Sequence, residues 1–227
     1  MIERYARPKM KRVWSEENKY DTWLRVELAV CEAWTDKGIV PQADMELLRS
    51  VNYDMPRLNE TLRDTRHEMT AFLGSITYAI GSEGRWLHLG LTTSDVWDTA
   101  TSLHLMESAD LLLEGIGRLL SALGDRAKEH KHTLMIGRTH GIHAEPMTFG
   151  LKLALWWDET RRNQERLKMA RENISFGKIS GPVGTHATVP PSVEENVCRR
   201  LNLKPAPLSN QVLQRDRHAQ FITALAL

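Results

Sequence analysis

The sequence predicts an all-α protein: a small N-terminal helical domain, residues 1–91, followed by a bundle of long helices, residues 92–227, incomplete at its C-terminus. Three observations carry this expectation. Apolar residues recur at intervals of three and four along most of the chain, and alternating or β-branched runs are scarce. One periodic segment, residues 94–130, would make a helix on the order of 50 Å long, more than a small domain can cover, so long partner helices are required. With 227 residues, 41% of them hydrophobic and 26% charged, the chain has the apolar material for a substantial core.

The elements follow in order. The first helix is expected over residues 15–37, with Tyr20, Leu24, Leu28, Cys31 and Trp34 as its apolar stripe, Ser15 as its cap, and Gly38 and Pro41 ending it. Shorter helices are expected over 41–50 and 56–65. A longer one carries Met69, Phe72, Leu73, Ile76 and Ile80 on one face until the glycines at 81 and 84 interrupt it. After the break at "GRWLHLGLTTSD" comes the long segment, whose partner is expected to begin at Pro146 in a first helical position and to run to about Asn173. Residues 174–190, "ISFGKISGPVGTHATVP", are glycine-rich and irregular, with room for a short hairpin. Helices over 191–201 and from Asn210 onward complete the pattern. The last ends on an apolar run without a stop signal, which predicts truncation inside a helix. Long helices with wide apolar faces also predict oligomerisation.

Charge and cysteine usage exclude several function classes. Lys plus Arg total 30 against 29 Asp plus Glu, and the basic residues are scattered, which disfavours nucleic acid as a partner. Two cysteines, Cys31 and Cys198, without CxxC spacing fit a reducing compartment. The start lacks an apolar leader and no apolar stretch is long enough to cross a bilayer, so no membrane role and a cytoplasmic location are expected.

Four polar stretches sit where loops meet helices, and each has a structural reading beside a functional one. In "TRHEMTAF", Arg66, His67 and Glu68 stand at a helix start, where an acidic residue is ordinary. In "HLGLTTSDVWDTA", Thr92, Thr93, Ser94 and Asp95 fit simple capping, but three hydroxyl residues exceed what one cap requires. Hydroxyls with unpaired helix N–H groups also suit a carboxylate. In "MIGRTHGIHAEPMTFG", His140 and His143 lack the spacing of four that places two zinc ligands on one helical face, so no metal is expected. Proton transfer and a satisfied core histidine both remain open for this pair. In "LSNQVLQRDRHAQF", Asn210, Gln211, Gln214, Arg215 and Arg217 open a helix and fit a solvated face as readily as a site.

Together, "RYARPKM", "TRHEMTAF", "HLGLTTSDVWDTA", "GRTHGIHAEPMTFG", "GKISGPVGTHA" and "QVLQRDRHAQF" resemble, in order, the adenylosuccinate lyases of the fumarase and aspartase superfamily. The resemblance implies an all-α fold of three domains and a homotetramer that builds each active site from three subunits. It also implies C–N cleavage by β-elimination, releasing fumarate from adenylosuccinate to give AMP and from SAICAR to give AICAR in purine biosynthesis, without a metal or organic cofactor. By similarity His140 is the acid that protonates the departing nitrogen. Thr92 and Thr93 hold a carboxylate of the succinyl arm, and Arg66, His67 and Glu68 contact substrate, with His67, near the reacting arm or phosphate, counted as catalytic beside His140. Gln211 bonds the succinyl or base region, and Arg4 and Tyr5 contact the nucleotide phosphate.

There are departures. Thr93 stands where relatives often have serine, Glu68 where aspartate is common, and His186 where tyrosine is expected, so the resemblance assigns His186 no role. The superfamily's serine loop, Ser-Ser-x-Met-Pro-x-Lys-x-Asn-Pro, supplies the proposed base and is only faintly echoed by "DMPRLNE" at 54–60; it is expected beyond Leu227. The competing readings are another lyase of the superfamily, of the argininosuccinate lyase or carboxymuconate cycloisomerase type, and a non-catalytic helical assembly module.

Overall fold

The computed structural model describes residues 2–227, and the fold is all-α with only short strands. Nine α-helices are present among the described residues: α1 (Pro8–Val13), α2 (Glu16–Asp36), α3 (Gln42–Leu48), α4 (Met55–Thr65), α5 (Glu68–Ile80), α6 (Thr93–Glu129), α7 (Phe149–Ile174), α8 (Pro191–Arg200) and α9 (Asp216–Ala226). Four strands, β1 (Leu134–Thr139), β2 (Ile142–Thr148), β3 (Phe176–Gly177) and β4 (Lys204–Pro205), make one antiparallel hairpin and one parallel bridge. The chain forms two compact units, residues 1–106 with 175–215, and residues 107–174 with 216–227. The domain boundary expected after residue 91 falls just before α6. The compact units part instead at Met106/Glu107 within that helix, and Ser175–Arg215 returns to the first unit.

The first unit is organised around α2. Ser15 caps that helix by accepting the Asn18 N–H at 3.1 Å, and Gly38 at φ 72° lets the chain turn away after it. Its buried face is wider than the expected stripe, because Trp23, Val26 and Val30 are buried alongside Tyr20, Cys31 and Trp34, while Leu24 and Leu28 are only half-buried. Phe72 of α5 lies stacked on Tyr20 at 5.7 Å and edge-on to Trp23 at 5.5 Å, which locks α5 against α2. The first turns of α6 (Val96, Ala100, Leu103) and the α8 side chains Val193, Val197 and Cys198 close the same core.

The second unit holds the remainder of α6, the β1–β2 hairpin, α7 and α9. The α6 and α7 helices are tied by a two-pronged Arg171–Asp110 ion pair. At the start of α7, a Cβ on Gly150 would stand 2.5 Å from the Ala127 carbonyl, so only glycine lets the two helices meet there.

Two expectations are corrected. Pro146 does not open a helix: it lies in β2 opposite Ile136, and the hairpin occupies 134–148, not 174–190. In a two-stranded ribbon both strands are edges, where proline's missing N–H is tolerated. The last helix begins at Asp216, not near Asn210. Asn210 Oδ1 takes the Val212 N–H at 2.9 Å and Asp98 takes the Leu213 N–H at 2.7 Å, which holds these residues in turns that compete with helix.

Phe72 is fully buried among aromatic rings, so Phe72→Ala should lower the stability of the full-length protein by about 3–5 kcal/mol in urea unfolding. A loss below about 1 kcal/mol would contradict the central place assigned to this side chain.

Candidate active site

The loop leading into α6 is fastened at every step. Trp34 Nε1–H donates to the Leu89 carbonyl at 3.2 Å. His88, at φ 62°, gives its backbone N–H to Glu27 at 2.8 Å and brings Nδ1 to the same carboxylate at 2.6 Å, with Glu27 fully buried. Gly90, at φ 77°, has no room for a side chain: a Cβ would stand 2.6 Å from the Thr188 carbonyl, and Thr188 Oγ1–H donates to the Gly90 carbonyl at 2.7 Å. Thr92 then gives its N–H to Asp95 Oδ2 at 2.7 Å, closing one half of a capping box. Thr92, Thr93 and Ser94 are half-buried, and among the described residues no protein group bonds the hydroxyls of Thr92 and Thr93. They stand at the positive end of a 37-residue helix, a setting suited to a carboxylate.

Beneath this turn lies a buried ion pair, Lys178 Nζ to Asp95 Oδ1 at 2.6 Å, with both side chains fully inaccessible. Asp95 Oδ1 also accepts the N–H groups of Ser180 at 3.0 Å and Gly181 at 3.3 Å, while Lys178 Nζ donates a second bond to the Gly181 carbonyl at 2.7 Å. One turn along α6, Thr99 Oγ1 accepts the Lys178 N–H and donates to its carbonyl, both at 3.1 Å. Sequence reasoning noted Asp95 only as a cap and missed Lys178 altogether. The available signal was a lone lysine between Phe176 and Ile179 in a segment otherwise small and apolar.

The same segment turns at His186 (φ 57°), whose Nδ1–H donates to the Val189 carbonyl at 3.0 Å and whose Nε2 stands 3.7 Å from Glu194. Glu194 accepts the Ile179 N–H at 2.8 Å. Burial pushes its carboxyl above the usual range, with the Ile179 amide and His186 acting against that.

Arg66, His67 and Glu68 lie at the α4–α5 junction. Arg66 ends α4 in the left-handed region at φ 51°, and His67 caps α5 by accepting the Thr70 N–H on Nδ1 at 3.2 Å, which leaves Nε2 as the protonated position of a neutral ring. Both are exposed. Glu68 instead bonds within the protein, accepting from Tyr20 Oη–H at 2.9 Å and pairing with Lys19. Arg4 lies over the Tyr5 ring at 4.8 Å in a short 3₁₀ turn, with Tyr5 exposed. Gln211 is exposed in the turn before α9. Ser180 and Ser209, whose hydroxyls are 2.8 Å apart, hold that turn to the Lys178 segment.

All of these residues belong to the first unit; His140 belongs to the second. It stands at the hairpin tip, where His140 (φ 52°) and Gly141 (φ 75°) form a two-residue loop between the paired Thr139 and Ile142. Two consecutive positive φ values are the hallmark of a type I′ turn, which explains the glycine beside the histidine. His143 faces Arg138 across the ribbon, and both histidines are exposed, so neither is a packed core histidine. A bulge at Gly137, where a Cβ would be 2.6 Å from the Glu145 carbonyl, bends the ribbon below the tip. Among the described residues no three His, Cys, Asp or Glu side chains converge as metal ligands, and no helix is long and apolar enough to cross a membrane.

A model of the lyase family matches residues 3–227. The chain belongs to the lyase family. It is 50% identical over a 228-residue alignment to the adenylosuccinate lyase of Bacillus subtilis (strain 168), and 46% identical to that of Staphylococcus saprophyticus. In both cases the alignment takes in 100% of this chain and 53% of the relative. The lyase-family chain thus spans about half the length of the curated relatives it matches. Among solved structures it resembles a fumarate lyase from Mesorhizobium sp. BNC1 (TM-score 0.89, 29% identity, 97% of this chain and 54% of the other). It also resembles a 3-carboxy-cis,cis-muconate lactonizing enzyme from Pseudomonas putida (TM-score 0.88, 26% identity, 97% and 53%).

The raised carboxyl of Glu194 has a consequence for pH. A group whose value is raised on folding adds stability that is complete below its unfolded value and lost as pH climbs through the folded one. Glu194→Gln keeps an acceptor for Ile179 and cannot ionise, so wild type should lose ground to this variant as pH rises through and above the usual carboxylate range in denaturant titrations. A gap between the two that stays constant with pH would refute the assignment.

Proposed function

We propose that this chain forms part of a lyase that cleaves a C–N bond by β-elimination, converting adenylosuccinate to AMP and fumarate, and SAICAR to AICAR and fumarate, in purine biosynthesis. The observation that carries the proposal is the 50% identity, over the whole chain, to a protein named adenylosuccinate lyase.

The local geometry supports it. Elimination needs a base for the proton on the carbon beside a carboxylate, donors for the charge that builds on that carboxylate, and an acid for the leaving nitrogen. Thr92 and Thr93, with unengaged hydroxyls at the N-terminus of α6, supply the donors. Gln211 adds an amide on a turn fastened to the same framework. His140 is the acid: imidazole transfers protons readily near neutral pH, and the type I′ tip presents the ring on a rigid ribbon. Arg66 and His67 contact substrate from the α4–α5 junction, with His67 near the reacting arm or phosphate, and Arg4 and Tyr5 take the phosphate. The base is expected from the superfamily's serine loop. Glu68, held by Lys19 and Tyr20, reaches substrate only if that clamp opens.

The second unit leaves Leu119, Leu151, Leu155, Trp156, Met169 and Ile222 exposed. This supports the reading of a homo-oligomer; a homotetramer with shared active sites, in the cytoplasm, is what the likeness to adenylosuccinate lyases implies. The lactonizing-enzyme likeness favours the cycloisomerase alternative, but at 26% identity against 50% it carries less.

The full-length protein should convert adenylosuccinate, followed as the absorbance change when AMP forms. His140→Ala should lower kcat by about 10² to 10⁴ with little change in KM. A wild-type protein inert on both succinyl nucleotides but active on argininosuccinate or carboxymuconate in the same panel would replace this assignment.

A further inference from the structure

The 178–186 segment contributes no group to the reaction proposed above, yet it carries the one fully buried ion pair among the described residues. We infer that Lys178 is a positioning residue: through Asp95 it sets the Thr92–Thr93 hydroxyls, and through Ser180 it sets the turn bearing Gln211, as one succinyl-binding arrangement. The inference rests on that proposed reaction.

Lys178 cannot touch substrate, because its side chain is fully inaccessible. Its bonds run to framework groups only. Nζ joins Asp95 Oδ1 and the Gly181 carbonyl, and its backbone exchanges two bonds with Thr99, so the residue grips α6 at two successive turns. The other oxygen of Asp95 takes the Thr92 N–H, which places the hydroxyl pair two bonds from the ammonium. On the far side Ser180 bonds Ser209, and Gly184 lies so close that a Cβ there would stand 2.1 Å from the Ser209 carbonyl. Gln211 is two residues further on.

A buried ion pair is a poor device for stability alone, since apolar residues of similar volume often serve as well or better. What it supplies is direction. The lysine and the carboxylate fix several backbone groups at definite angles, which an apolar contact cannot do.

The test uses the full-length protein. Lys178→Met leaves Asp95 buried without its cation and should lower Tm steeply. The pair Lys178→Met with Asp95→Asn removes both charges and keeps one carbonyl acceptor for the Ser180 and Gly181 amides, while the half-buried Thr92 N–H loses its carboxylate, so Tm should recover most of the loss. If Lys178 positions the site, KM for adenylosuccinate in this double variant rises about tenfold to a hundredfold while kcat changes less than about threefold. Recovered Tm together with a wild-type KM would reduce the pair to a structural role and overturn the inference.

Amide exchange in the wild-type protein is the second measurement, and it needs no variant to fold. The amides of Thr92, Ser180 and Gly181, all bonded to Asp95, should share one opening free energy; independent opening overturns the inference. Because exchange needs no turnover, it separates failure of this coupling from failure of the proposed reaction, which inert wild-type protein would reveal.

Discussion

Lys178 and Asp95 lose all contact with water, and several segments of the first unit take their position from the bond between them. Removing two charges from water costs several kcal/mol each, and their attraction offsets this only when the remaining lone pairs and protons are bonded too. Here they are. The Asp95 carboxylate accepts three backbone N–H groups beside the ammonium, and the ammonium finds the Gly181 carbonyl. A glycine-rich segment that would otherwise wander is thereby held to the start of α6, the turn that displays Thr92 and Thr93.

Glu27 does the same for the other side of that turn. It is a buried carboxylate in the middle of α2, where an apolar residue would be expected, and it takes the backbone and ring of His88. Between the two carboxylates the loop from His88 to Asp95 has little freedom. Among the described residues, the non-glycine residues with positive φ are Arg66, His88, His140, His186 and Asn202. Two of these are candidate substrate or acid residues, and His88 and His186 sit in the segments that fasten the hydroxyl loop. Such conformations persist only where surrounding bonds over-determine them, and they concentrate where a side chain must be aimed.

Much of the helical layout was legible because it depends on local periodicity. The stripe of α2, its Ser15 cap and Gly38 stop, and the length of α6 all follow from residues within a few turns of one another. The β-hairpin was not legible in this way. Its strands are short, Pro146 reads as a helix opener, and only the tandem positive φ at His140 and Gly141 reveals the turn that makes a ribbon. Residues 210–215 misled for a similar reason: their composition suits a helix, but Asn210 and Asp98 take the N–H groups that a helix would use.

The sequence by itself determined the helical class, the polar junctions that bear the candidate residues, and through six ordered motifs the family resemblance. These are properties of spacing and residue type, and they survive without knowledge of what meets what. Only the tertiary structure decided that Lys178 faces Asp95 across 83 positions, that Glu68 is held by Lys19 and Tyr20, and that the two histidines at 140 and 143 differ, one at a turn and one along a strand. Long-range pairing of buried charges leaves no periodic trace, because a lysine destined for a carboxylate reads the same as one destined for water.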